Sequence, residues 1–83
     1  MLTVHYTFKD GDEMQLFLDT IINFLFHYTE HKFDYSHTND RVIFTLWDFS
    51  CAFDAMQLIH TFDTIISNKD ILCTLEEIHF VEH

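Results

Sequence analysis

Leu2, Val4, Tyr6 and Phe8 alternate with Thr3, His5 and Thr7, the two-residue period of a strand with one buried face. The period changes near residue 12. From there to residue 30 apolar side chains return every three or four positions. At about 100° per residue, Met14, Phe17, Leu18, Ile21, Phe24, Leu25 and Tyr28 share the sector expected to face the core. Asp10 has helix-capping chemistry, Glu13 follows three residues later, and acids suit the positive end of a helix.

Residues 31–38 alternate again, Phe33, Tyr35 and His37 against Lys32, Asp34 and Ser36. Thr38, Asn39 and Asp40 supply a hairpin turn. Residues 41–47 then place Val42, Phe44 and Leu46 on one face and Ile43, Thr45 and Trp47 on the other. Asp48 or Ser50 is expected to open a second helix with Cys51, Ala55, Leu58, Ile59, Phe62 and Ile66 inward. Ser67 to Asp70 ends it, and residues 71–81 read as a last strand. The order β-α-β-β-α-β predicts an α+β ferredoxin-like plan, with four antiparallel strands and both helices on one face. Eighty-three residues hold one such domain, 1–83, and no second core.

Composition narrows the partners. Forty-eight per cent of the chain is hydrophobic and ten residues are Phe, which a disordered acidic tail would not carry. Fourteen acids against four bases give a formal charge of −10, which excludes ordinary nucleic-acid binding through phosphate neutralisation. With one Gly and no Pro there is no glycine-rich phosphate cradle. No secretory signal, membrane span, myristoylation site or prenylation box is expected. Cys51 and Cys73 are too few for a disulfide scaffold and read as buried free thiols of a reducing cytosol, the host's where the protein is phage-encoded.

The outward sector of the first helix interrupts an otherwise ordinary pattern. Asp12, Asp19 and Glu30 fall within about 20° of one line, and no Lys or Arg occurs between the ends of that row. A solvated polar face is the common explanation of such a row. The imbalance of the whole chain favours another, because self-repulsion destabilises a fold while steering it towards a basic partner. Leu16 and Phe26 intrude on this polar face and Phe53 points outward from the second helix, as interface anchors do. A homodimer would use the same residues.

Catalytic chemistry has little to stand on. His27-Tyr28-Thr29-Glu30-His31 matches the zinc-hydrolase spacing H-x-x-E-H, but no distant residue is marked out as the third ligand. His5, His37 and His79, one per strand, are expected together on the open sheet face as a weak metal site or a pH-sensitive patch. Protonating all seven histidines would move the formal charge from −10 to −3 and weaken a charge-driven contact. Both cysteines sit in apolar runs, Ser50 lacks a nucleophile elbow, and Arg41 is the only Arg.

The opening strand 2–8, the Lys9-Asp10-Gly11 turn, and Phe44-Thr45-Leu46-Trp47-Asp48 leading into a helix with His60 resemble the layout of the dimeric α+β-barrel group. That group includes small antibiotic-biosynthesis monooxygenases and haem-degrading enzymes. The resemblance implies at most two sheets pairing face to face, and no functional residue carries over. The alternative it opens is a dimeric α+β-barrel enzyme or small-ligand binder, with a pocket between sheet and helices lined by His and aromatics. The residues themselves point elsewhere, to a non-enzymatic inhibitor without metal or cofactor. Its carboxylates would stand in for phosphates on the basic surface of a nuclease or other nucleic-acid-handling protein. Phage anti-CRISPR and anti-restriction proteins, immunity proteins and antitoxins are of this kind. The expected contacts are Asp12, Asp19, Glu30, Asp54, Asp63, Glu76 and Glu77, with Leu16, Phe26 and Phe53 as anchors.

Overall fold

The computed structural model describes residues 1–81; Glu82 and His83, part of the end read as lacking a lipidation box, lie outside the described residues. Its elements run β1 (Leu2–Thr7), α1 (Gly11–Tyr28), β2 (Phe33–His37), β3 (Arg41–Leu46), α2 (Ala52–Asn68) and β4 (Thr74–Phe80). One four-stranded sheet has the order β2-β3-β1-β4, and every neighbouring pair is antiparallel. This is the expected α+β ferredoxin-like arrangement.

Strict alternation makes β1 and β3 the central strands. Leu2, Val4, Tyr6, Val42, Phe44 and Leu46 are buried against the helices, while Thr3, His5, Ile43 and Thr45 stay half-buried on the open face. Phe17 of α1 is the hub of the core, with ring centroids 4.8 Å from Tyr6, 5.1 Å from Phe8 and 5.9 Å from Phe44. Phe62 brings α2 onto Phe44 at 6.3 Å. Each such ring contributes about 1.5–3 kcal/mol by leaving water.

The ends of the helices settle where the acids go. Asp10 caps α1 as expected, its Oδ1 accepting from the Asp12 N–H at 2.8 Å. Glu13 does not reach back to complete a capping box; its carboxylate accepts from the Leu72 N–H at 3.2 Å, tying α1 to the segment before β4. At the far end Thr29 turns extended (φ −132, ψ 157) and its hydroxyl donates to the Leu25 carbonyl, so α1 stops at Tyr28. The expected helix to residue 30 is therefore two residues too long. Tyr28, expected in the core, is 75 % exposed and stacks on Phe24 at the rim.

Neither Asp48 nor Ser50 caps α2. Asp48 adopts φ 69, the left-handed region, and this turn swings Phe49 towards the core. Helix α2 starts at Ala52 after an extended Cys51 that makes no side-chain cap, and the Ser50 hydroxyl donates instead to the Asp54 carboxylate. The C-terminal end closes by paired bonds, Ile71 N–H to Ile66 carbonyl and Asp70 N–H to Ser67 carbonyl, around a left-handed Asp70 (φ 53). That is a Schellman motif with Asp where Gly is usual.

Candidate functional site

Thirteen of the fourteen acids are among the described residues, and all but the half-buried Glu13 are exposed. The basic side chains do not meet them. Among the described residues, the single carboxylate within 4.0 Å of a basic group is Glu77, 3.6 Å from His5 Nε2. Arg41 Nη1 donates to His5 Nδ1 at 3.3 Å, which leaves the other ring nitrogen to carry its proton towards Glu77. The surface charge is thus largely unpaired.

The ten expected contact residues divide between two sides of the sheet. Asp12, Leu16, Asp19 and Phe26 lie on α1, and Phe53, Asp54 and Asp63 lie on α2. Asp12 and Asp19 are one heptad apart, about 10 Å along the axis. Glu76 and Glu77 lie on the opposite, open face. The register slips between His5 and Tyr6, leaving Glu76 as the extra residue of a bulge, and Glu76 accepts from the Thr7 hydroxyl at 3.0 Å. One flat partner cannot touch both sets.

Glu30 leaves the row because the helix stops before it. It joins Asp48, Asp54 and His31 around a recess of about 650 Å³ between the end of α1 and the start of α2. A second recess, about 560 Å³, runs between α1 and β2 over Ile22, Phe26, Phe33 and Tyr35, with Glu30 and Asp34 at its rim. Phe26 meets Phe33 edge to face at 5.4 Å, which holds the exposed ring over this groove. Phe53 is 68 % exposed and Leu16 43 %, outside both recesses.

Residue reading missed Asp34, Asp48 and Tyr35. The left-handed turn that aims Asp48 carries no Gly or Asn to announce it. Asp34 and Tyr35 belonged to a strand whose edge position only the topology reveals.

The histidine constellations come apart. With α1 ended at Tyr28, His31 is no longer one helical turn from His27; its Nδ1 sits 3.0 Å from the Trp47 carbonyl and its ring stacks on Phe49 at 4.2 Å. His37 pairs with Val42, a core-side position, so it does not share the open face with His5 and His79. Among the described residues no three His, Cys, Asp or Glu side chains are arranged to hold a metal ion. Burial pushes the half-buried Cys73 thiol up to about 11, with Asp63 and Glu13 adding to the effect, which keeps it protonated and unreactive near neutrality. Burial, then the Asp63 charge, also raises Tyr6 above the ordinary phenol range. Its hydroxyl is buried without a hydrogen-bond partner.

No protein-family model, curated protein or solved structure matches this chain. The likeness to dimeric α+β barrels therefore rests on layout alone. Among the described residues, no helix is long and apolar enough to cross a membrane.

Proposed function

We propose that the protein is a non-enzymatic inhibitor that docks its helix layer on the basic surface of a nucleic-acid-handling protein and occupies the place of nucleic acid. The observation that carries this reading is the near absence of charge pairing among the described residues of a chain of formal charge −10. Solvated carboxylates accept hydrogen bonds from Lys and Arg as phosphates do. Asp12, Asp19, Asp54 and Asp63 provide the anions, with Leu16, Phe26 and Phe53 as apolar anchors. Glu76 and Glu77 face the other way and take no part in the same contact. Such an inhibitor acts in the cytosol, where its target works.

The test is capture of partners from lysate at 50 and 500 mM salt, followed by displacement of a fluorescent DNA or RNA duplex from each purified candidate. Displacement that weakens with salt, and that fails when Asp12, Asp19, Asp54 and Asp63 become Asn, supports the proposal. Displacement undiminished in that folded variant refutes it.

A further inference from the structure

The groove between α1 and β2 differs from the rest of the acidic surface in being apolar along its floor. Ile22 and Leu25 of α1 and Phe33 of β2 line it; Phe26 stands over it 72 % exposed, and Tyr35, 43 % exposed, is braced 5.9 Å from Phe44. Two rings held in place by neighbouring rings lose little freedom on binding, which suits them to anchor a partner. The rim carries the exposed carboxylates of Glu30 and Asp34 against one Lys32.

The edge of β2 shows how an occupant would enter. Trp47 N–H donates to the Lys32 carbonyl and Thr38 N–H to the Arg41 carbonyl, so even positions of the strand face β3 and odd ones point outward. The central outward donor, the Tyr35 N–H, is already taken by Asp34 Oδ1 at 2.8 Å. This blunts the edge against a fifth strand. Side-chain docking of a helix into the groove needs none of those donors.

We infer that the α1–β2 groove seats an amphipathic cationic helix of the partner protein, its apolar side on Phe26 and Tyr35 and its Lys or Arg side chains on Glu30 and Asp34. The partner's charge rests on the inhibitor reading. A second copy of this chain cannot be the occupant: its four basic residues are Lys9, Lys32, Arg41 and Lys69, no two of them closer than nine positions. No segment of it is both cationic and amphipathic, and each copy adds a charge of −10.

The probe is a fluorescein-labelled Leu/Lys helix with leucines at i, i+3, i+4 and i+7, beside a Ser/Lys peptide of equal charge. Anisotropy should show the Leu/Lys peptide bound at least ~10-fold more tightly than the Ser/Lys one. Phe26→Ser should weaken it by a similar factor, while the conservative Phe26→Tyr keeps the binding and Leu72→Ser, at an equally exposed apolar residue outside the groove, leaves it unchanged. Glu30→Gln with Asp34→Asn should weaken it severalfold and flatten its salt dependence. Equal binding of both peptides, equal loss in Phe26→Ser and Leu72→Ser, or a dimer by light scattering that Phe26→Ser dissolves would overturn the inference. If the peptide seats as described but the protein displaces no duplex from captured proteins, the inhibitor reading falls and the groove stands. If displacement occurs and Phe26→Ser does not affect it, the groove falls and the reading stands.

Discussion

Raising sodium chloride from about 0.01 M to 1 M will stabilise this fold, because its charges repel more strongly folded than unfolded. The magnitude follows from size and charge. A radius of gyration of 12.1 Å corresponds to a sphere of about 16 Å, and the unfolded chain, with a radius of gyration of about 28 Å, to a sphere of about 36 Å. Spreading the formal charge of −10 over these spheres in water gives an excess repulsion in the folded state of ~6 kcal/mol at low salt and ~1–2 at high salt. The difference, ~4 kcal/mol, is a rise of roughly 20 °C in midpoint for a domain of this size.

Urea titrations followed by Trp47 fluorescence at both salt concentrations measure it directly. Repulsion grows as the square of the charge, which supplies a sharper check. Glu30→Gln, Asp48→Asn and Asp63→Asn together take the formal charge from −10 to −7. All three residues are exposed, and Asn tolerates the left-handed backbone of Asp48. The salt gain should then fall to about half, ~2 kcal/mol. A wild-type stability that stays flat or declines with salt would show that the carboxylates are locally compensated, and the argument for a charge-seeking partner would lose its basis. A gain that the triple variant keeps in full would assign it to general salting-out and not to repulsion.

Three smaller effects test the local structure. Asp10→Ala removes the acceptor of the Asp12 N–H and should lower stability by ~1 kcal/mol in urea; no loss would show that the cap contributes nothing. At the left-handed Asp70, Gly should match or exceed the wild type in thermal melts, while Val should cost ~1–2 kcal/mol; equal melting of the two would deny the strain. Cys73 ionises from its ordinary 9.0 in the unfolded chain but only near about 11 when folded. The folded state therefore holds the proton longer, and stability should fall as pH rises from 9 through 11, with the buried Tyr6 adding to the fall above its ordinary 10.0. Cys73→Ser should remove the onset near pH 9 and leave the Tyr6 part, and an unchanged profile would contradict it.

What could be read from residues alone was whatever repeats. The alternation of Leu2, Val4 and Tyr6 and of Val42, Phe44 and Leu46 identified two strands and their buried faces. The spacing of Phe17, Leu18, Ile21 and Leu25 identified the inward face of α1. Single-residue events were not legible. Thr29 turns extended and strands Glu30 away from Asp12 and Asp19; Asp48 enters the left-handed region and shifts the start of α2 beyond both expected caps. The bulge at Glu76 turns two successive acids to the open face, where alternation would have separated them. Each of these is a change at one residue that no period announces, and each moved a candidate contact without disturbing the core.

The two sides of the sheet treat their charges differently, and that difference argues for the helix layer as the binding side. On the open face, Glu76 takes the Thr7 hydroxyl and Glu77 faces His5, which Arg41 in turn holds. Those carboxylates are already engaged, and drawing them to a partner would break this network. On the helix side, among the described residues, Asp19 is met only by the neutral amide of Gln15 and Asp54 by the Ser50 hydroxyl. Asp63 sits over the half-buried Cys73 and raises its pKa instead of finding a cation. A carboxylate that gives up only water and a neutral donor gains more from an incoming Lys or Arg than one already facing a base. The same side carries Phe26 and Phe53, the apolar surface that would turn attraction into a seated contact. The helix layer therefore has both the unspent charge and the anchors, whereas Glu76 and Glu77 serve to hold β4 against β1.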